Sequence, residues 1–169
     1  MDRASVLTVF ESENIRFVEV SELLIPDYLA MVNDYEHVQR FISRNTATYT
    51  EEKEIAWVRG KLEEKAAVYS MLEKASGDFI GNIELMDVTG TEGELGIAVT
   101  AAKQNMGLGT QAVRALLKYG FETLGLQRIF LRTNPANAKA IRVYKKCGFR
   151  EYDRNETHLF MEITRGNEG

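Results

Sequence analysis

The pattern of hydrophobic and polar positions changes period several times along the chain, and each period predicts a different element. Alternating apolar positions predict strands over residues 6–10 and 15–20, joined by a polar turn. Ser21 and Thr50 then stand where an N-cap precedes apolar residues at helical spacing. A further short helix is predicted over residues 35–42. The first part of the chain therefore predicts two strands followed by helices.

From residue 67 the period becomes that of strands, and residues 67–74, 79–88 and 93–99 predict three successive antiparallel strands. The later predicted elements are a helix over 110–125, a strand over 128–133, a helix over 137–147, and closing strands near 149 and over 159–163. A strand, a helix and a strand in succession predict one parallel step. The predicted fold class is α+β, with a mixed, mostly antiparallel central sheet of six to seven strands flanked by about four helices.

Length and charge narrow the class of protein. The chain has 169 residues, which favours a single domain over residues 1–169 with a sizeable core. Its net charge of −4 argues against nucleic acid as a partner, because nucleic-acid binders concentrate Lys and Arg on one face. No apolar run approaches the roughly 20 residues of a membrane helix, and no signal peptide is evident. We therefore expect a cytoplasmic protein without a membrane partner. The sequence leaves its oligomeric state open, and a homodimer is one of the possibilities.

Cysteine and histidine usage predicts no metal site. Cys147 is the only cysteine, which excludes an intrachain disulfide and a cysteine-rich zinc site. His37 and His158 have neither a partner nor the spacing for a metal or a catalytic triad. We expect Cys147 to pack in the core rather than to act as a nucleophile.

A glycine-containing segment between a predicted strand and a predicted helix indicates a phosphate-binding turn. Gly107 and Gly109 allow a tight turn, and the following helix contributes unpaired N–H groups and the positive end of its dipole. Together with Ala112 they also fit a shortened dinucleotide-binding fingerprint. That fingerprint requires an opening βαβ unit and an acidic residue after the next strand, where this chain has Arg132 and Thr133. The pattern therefore disfavours a dinucleotide site.

Two segments resemble the motifs of the GNAT superfamily of N-acetyltransferases. GIAVTAAKQNMGLGTQAVRALLKYGF is similar to its acetyl-coenzyme A (acetyl-CoA) motif, Gln/Arg-x-x-Gly-x-Gly/Ala after a strand. NPANAKAIRVYKKCGF is similar to the motif that follows, and the order of elements matches over residues 15–163. IRFVEV and NDYEHVQRFI make the chain most similar to the branch of ribosomal-protein N-terminal and spermidine acetyltransferases.

The resemblance implies an enzyme that transfers an acetyl group from acetyl-CoA to a primary amine, which is a protein N-terminus, a polyamine or another small amine. Tyr144 matches the tyrosine that protonates the leaving thiolate. Glu94 matches a carboxylate that relays the proton of the amine, with Glu84 as the alternative. The implied acetyl-CoA-binding residues, most of them acting through the backbone, are Ile97, Ala98, Val99, Gln104, Asn105, Met106, Gly107, Leu108, Gly109, Thr110 and Asn137.

Other interpretations stay open at this stage. Tyr144 also suits a core position of an amphipathic helix, and Asn137 also suits a plain N-cap. For the whole protein, the alternatives are a non-catalytic acyl-CoA-binding or sensing protein of the same fold, and a nucleotide-binding oxidoreductase.

Overall fold

The chain forms one eight-stranded sheet in the computed structural model, which describes residues 3–42 and 48–167. The strands are β1 Thr8–Glu11, β2 Ile15–Glu19, β3 Ala67–Glu73, β4 Phe79–Met86, β5 Glu92–Val99, β6 Arg128–Thr133, β7 Arg150–Arg154 and β8 Leu159–Thr164. Their order across the sheet is β1-β2-β3-β4-β5-β6-β8-β7. The α-helices of the described residues are α1 Ile25–Val32, α2 Arg40–Ile42, α3 Glu51–Glu63, α4 Leu108–Lys118 and α5 Ala138–Lys146.

Strand pairing confirms the predicted mixed sheet. β5 and β6 run parallel, with Glu92 opposite Arg128 and Glu94 opposite Phe130, and α4 lies between them in sequence. The pairs β1–β2, β2–β3, β6–β8 and β7–β8 are antiparallel. The sheet has eight strands within the described residues, one more than the upper end of the predicted count, and the closing strand predicted near residue 149 is the edge strand β7. Every residue of β7 is exposed, so it lacks the apolar alternation by which a strand is recognised.

Packing divides the chain into two compact units. The first comprises Met1–Ile83 and Ile97–Met106, and the second comprises Glu84–Gly96 and Gly107–Gly169. In the first unit, α1 and α3 supply core residues such as Tyr28 and Val58. The predicted caps hold there: the Ser21 hydroxyl accepts from the N–H of Leu23, and the Thr50 hydroxyl accepts from the N–H of Lys53.

The second unit contains the βαβ step and the closing strands. α4 buries Val113, Leu116 and Leu117, and the core also contains Ile129 of β6 and Met161 of β8. The helix begins at Leu108, two residues before the predicted Thr110, and a π-helical turn over Tyr119–Thr123 follows it. These elements place the glycine segment at the start of a buried and therefore well-fixed helix.

Candidate active site

The turn that leads into α4 has the backbone geometry of an anion-binding site. Gly107 is the N-cap of α4 with a left-handed φ of 79°, and no side chain caps the helix. The first amides, those of Leu108 and Gly109, therefore have no partner within the helix. Among the described residues, no atom outside the local backbone lies within 4 Å of the position that a Cβ would occupy at Gly107 or Gly109. The turn thus combines N–H donors, the positive end of a helix dipole and open space.

Gln104, at the start of this turn, is bonded within the protein. Its Nε2 donates to the carbonyl oxygen of Val99 at 2.9 Å and to that of His37 at 3.1 Å. Its backbone N–H lies 3.3 Å from the carbonyl oxygen of Ala101. These bonds join the turn to the end of β5 and to the π-helical turn Tyr35–Gln39, so Gln104 shapes the loop.

The end of β5 extends beyond its parallel ladder. The pairing with β6 reaches Glu94, whereas β5 continues to Val99. A Cβ at Gly81 of β4 would collide with the carbonyl oxygen of Ala98, so glycine permits β4 to approach the Ala98–Val99 peptide closely. Ile97, Ala98 and Val99 are half-buried and lie beyond the ladder with β6, where an added strand-like ligand could pair, although the Val99 carbonyl already accepts from Gln104.

Tyr144 in α5 combines a buried ring with an unpaired hydroxyl. The residue is 8% exposed, and its ring meets that of Phe149 edge-on at 5.8 Å between centroids. Burial raises the pKa of Tyr144 to about 12, so the hydroxyl stays protonated at neutral pH. The hydroxyl has no hydrogen-bond partner within residues 3–42 and 48–167, yet no fully buried side-chain oxygen there lacks one. The hydroxyl oxygen therefore reaches the protein surface.

Asn137 is the N-cap of α5, as the helix-start pattern predicts. Its Oδ1 accepts from the N–H of Ala140 at 3.4 Å, and its φ of −83° and ψ of 71° are non-helical. The cap uses the carbonyl oxygen of the carboxamide and leaves its nitrogen for other contacts. The role of Asn137 in cofactor binding stays a prediction.

The two carboxylates considered for proton relay point to the same face of the sheet. The Glu94 side chain is only 8% exposed, and its Oε2 lies 3.1 Å from Nε of Arg132, whose side chain is 60% exposed. A Cβ at Gly96 would lie 3.5 Å from Cγ of Glu84, so Glu84 lies over Gly96. Because Glu94 and Gly96 are two residues apart on β5, they share that face.

Sequence patterns assigned no role in the candidate site to two polar residues of these strands. Arg132 is the ion-pair partner of Glu94, and Asn82 of β4 accepts a hydrogen bond from Ser70. Each occupies an alternating position in a strand with a buried face. A polar residue at such a position is the signal that could have found them.

The structure also bears on Cys147, on metal binding and on membrane-spanning helices. Cys147 is 0% exposed, its Sγ lies 3.6 Å from the carbonyl oxygen of Thr110, and burial raises the pKa of its thiol. No group of three or more His, Cys, Asp or Glu side chains in the described ranges has the arrangement of a metal site. No helix of these ranges is both long and apolar enough to cross a bilayer.

The mixed sheet with its parallel β5–β6 step and the uncapped helix that begins at a left-handed glycine are the features expected of the acyl-CoA N-acyltransferase class. Residues 14–150 match the family model described as an acetyltransferase (GNAT) domain, and the chain belongs to this family. It is an N-acetyltransferase that uses acetyl-CoA as the acetyl donor. The predicted family, fold class, enzyme class and donor are thereby confirmed, and the oxidoreductase alternative is set aside.

Similar proteins include two sequences and a solved structure. YnaD of Bacillus subtilis strain 168, an uncharacterised N-acetyltransferase, is 31% identical over 121 residues, which cover 71% of this chain and 69% of that protein. Spermidine N(1)-acetyltransferase of Escherichia coli K12 is 32% identical over 78 residues, or 45% of this chain and 42% of that protein. The structure of spermidine N-acetyltransferase from Vibrio cholerae with CoA and spermine has a TM-score of 0.80 at 17% identity, covering 91% of this chain and 97% of that chain.

Proposed function

We propose that this protein acetylates a primary amine, which is a protein N-terminus, a polyamine or another small amine, by direct attack on the acetyl thioester. The uncapped start of α4 at left-handed Gly107 carries the proposal, because it offers backbone donors to a pyrophosphate in open space. The similarity to spermidine acetyltransferases supports an amine acceptor. A cytoplasmic location, a homodimer, the absence of nucleic-acid and membrane partners, and one domain over residues 1–169 remain predictions.

The chain offers two kinds of backbone contact to the donor. The amides from Gly107 to Thr110 bind the pyrophosphate, while Asn105 and Met106 are exposed on the turn that precedes them. The backbone of Ile97, Ala98 and Val99 pairs with the pantetheine arm as an added strand would. Leu108 is 6% exposed, so its side chain anchors the turn while its N–H faces the ligand.

The chemistry requires a neutral amine and a proton for the departing sulfur. The amine nitrogen attacks the thioester carbon, the C–N bond forms and the C–S bond breaks, and one proton moves from nitrogen to sulfur. Glu94 or Glu84 accepts the proton of the amine through water. Tyr144 is the general acid, because its hydroxyl is protonated at neutral pH and has no other partner.

The pKa of Tyr144 limits how far its proton moves. A thiol has a pKa of about 8.5, so complete transfer from a hydroxyl with a pKa of about 12 is uphill by roughly three to four pKa units. The hydroxyl therefore acts first as a hydrogen-bond donor to the sulfur as negative charge develops there. As the C–S bond breaks, the phenol proton passes to the sulfur, and the proton taken from the amine by the carboxylate then restores the neutral phenol.

Acceptor turnover tests the proposal. Release of free CoA thiol is measured with acetyl-CoA and three amine classes, namely peptides with different first residues, polyamines and simple alkylamines. We expect thiol release well above the uncatalysed rate with at least one class. Thermal stabilisation by CoA without thiol release from any class would instead favour the non-catalytic acyl-CoA-binding protein.

The loop assignment is tested with two matched glycine variants. Gly107 and Gly125 both have left-handed φ angles, 79° and 73°, and a Cβ at either position meets no atom within 4 Å. Alanine therefore costs about 1–2 kcal/mol of strain at each. We expect Gly107→Ala to raise the Kd for CoA by about tenfold in titration calorimetry and Gly125→Ala to leave it within about twofold. An equal change in the Kd for CoA in both variants would contradict the assignment of this loop to the CoA-binding site.

A further inference from the structure

A buried chain of hydrogen bonds in the first unit ends at Asn82 of β4. The N–H of Ser21 donates to the hydroxyl oxygen of Tyr28 at 3.2 Å, and the hydroxyls of Tyr28 and Ser70 are 2.5 Å apart. The Ser70 hydroxyl donates to Oδ1 of Asn82 at 2.8 Å. Tyr28 and Ser70 are both 0% exposed, so no water competes for these bonds. The proposed acetyl transfer does not use this chain of bonds.

The direction of the bonds follows from the first donor. A backbone N–H can only donate, so the Tyr28 oxygen accepts from Ser21 and the Tyr28 hydrogen goes to Ser70. The Ser70 hydrogen then goes to Asn82. With the Asn82 carboxamide flipped, Ser70 would donate to Tyr28 and leave the Tyr28 hydrogen buried without a partner, at a cost of about 1–3 kcal/mol. The network therefore fixes the carboxamide with its oxygen inward.

The opposite side of the Asn82 carboxamide carries two N–H donors. Asn82 is half-buried, and its nitrogen has no hydrogen-bond partner within the described residues. The Tyr28 hydroxyl stays protonated at neutral pH because burial raises its pKa to about 12, so the direction of the chain does not change with physiological pH. Asn82 thus presents a fixed pair of donors and no acceptor.

The position of Asn82 relates these donors to the proposed reaction. The preceding residue, Gly81, packs directly against the Ala98–Val99 peptide, the backbone proposed to pair with the pantetheine arm. An added strand lies in the plane of the sheet, whereas a strand side chain stands roughly perpendicular to it. Asn82 points to the face occupied by Tyr28 of α1. A molecule bound over this face of the sheet, beside the Ala98–Val99 peptide, would meet these donors, and in the proposed reaction that molecule is the acceptor.

We propose that Asn82 determines acceptor specificity by binding a carbonyl oxygen next to the reacting amine, so that the preferred acceptor is an α-amino amide such as a peptide N-terminus. This inference rests on the proposed amine acetylation and narrows its substrate class. Next to its neutral reacting amine, a polyamine carries only methylene groups and protonated amines, none of which can accept a hydrogen bond from Asn82. A peptide N-terminus carries a carbonyl oxygen on the carbon adjacent to its amine-bearing carbon.

Two substitutions and two acceptors test the assignment. Asn82→Ala removes the donors, and Asn82→Asp keeps the bond from Ser70 but replaces the donors with a negative acceptor. The acceptors are a short peptide amide and spermidine, and kcat/KM is compared between variants for each one, so that intrinsic amine reactivity cancels. We expect Asn82→Ala to lower kcat/KM for the peptide by about three- to tenfold and to leave spermidine within about twofold. Asn82→Asp should lower the peptide value further and raise the spermidine value.

A positioning test adds a readout that folding alone would not produce. Ser70→Ala releases the carboxamide, and Ser70→Thr keeps a hydroxyl at the same place. We expect Ser70→Ala to raise the peptide KM with the Kd for CoA unchanged, and Ser70→Thr to restore it. Circular dichroism and the Kd for CoA report whether each variant is folded.

The outcomes separate this inference from the proposed function. Equal losses for peptide and spermidine, or no loss for either, would overturn the role of Asn82 while acetylation stands. A wild-type protein that acetylates spermidine but no peptide would do the same. A wild-type protein that acetylates no amine would remove the proposed function and the inference together.

Discussion

Tyr28 and Tyr144 are both buried tyrosines, but their hydroxyls have different surroundings. Tyr28 is 0% exposed and Tyr144 is 8% exposed, and burial raises the pKa of each to about 12. The hydroxyl of Tyr28 accepts from Ser21 and bonds to Ser70. The hydroxyl of Tyr144 has no partner in the described part of the chain. Burial and pKa therefore do not distinguish the two tyrosines, whereas the bonding of the hydroxyl does.

The difference has an energetic basis. A buried hydroxyl without a partner costs about 1–3 kcal/mol, which is why most buried tyrosines are paired as Tyr28 is. Because every fully buried side-chain oxygen of the described residues is paired, the Tyr144 hydroxyl is not completely buried, and it can lower this cost by contact with water or a ligand. Phe149 thus packs against the ring of Tyr144, while the Tyr144 hydroxyl makes no hydrogen bond within the described residues, as the proposed acid role requires.

Removal of the Tyr144 hydroxyl has the largest expected effect. Tyr144→Phe should lower kcat by about 100-fold, the lower end of what a positioned general acid contributes, because the departing sulfur loses its proton donor. The Kd for CoA should change by less than about twofold, since the ring and its packing remain. Steady-state thiol release and calorimetry measure the two quantities. An unchanged kcat would exclude Tyr144 as the acid.

Removal of the Tyr28 hydroxyl tests the opposite side of the comparison. Tyr28→Phe deletes one hydrogen-bond acceptor and one donor from a buried chain and leaves Ser21 and Ser70 without their partner. We expect the free energy of unfolding to fall by about 2 kcal/mol. Tyr144→Phe should change it by less than about 0.5 kcal/mol, because that hydroxyl has no bond to lose. Urea denaturation of both variants makes the measurement, and equal losses would contradict the assignment of roles.

The two tyrosine environments also differ in how well the sequence predicts them. The surroundings of Tyr144 follow from local signals: Asn137 starts the helix, and the helix carries the tyrosine at a position that the family motif specifies. The surroundings of Tyr28 join residues that are 42 positions apart in sequence, through Ser70. No local pattern encodes such a pairing, so the chain of bonds to Asn82 could not be predicted.

Elsewhere in the fold and the candidate site, too, features encoded by local sequence were predicted, whereas features that join distant residues were not. The bounds of β6, Arg128–Thr133, were predicted because the strand has an apolar buried face and breaks at Asn134–Pro135. Edge strand β7, Arg150–Arg154, has no buried face, and the sequence predicted only a closing strand near residue 149 without its bounds. The glycine turn was predicted from Gly107, whereas the bonds of Gln104 depend on where the π-helical turn Tyr35–Gln39 lies.

The smallest expected effect is the loss of unfolding free energy at alkaline pH, and it should be the same for the two tyrosines. Both pKa values rise from 10 in the unfolded chain to about 12 in the fold, so the folded state holds these protons more tightly. Their contribution to stability is complete below about pH 10 and is lost as the pH rises toward about 12. At about pH 11 each tyrosine should account for about 1 kcal/mol of the lost unfolding free energy.

Tyr28→Phe and Tyr144→Phe should each remove an equal share of this loss, although their stabilities at neutral pH differ. Urea denaturation from about pH 9 to 12, with phenolate absorbance to follow the titration, measures the shares. If only one of the two substitutions reduced the alkaline loss of unfolding free energy, burial would not be the common cause of the two pKa shifts.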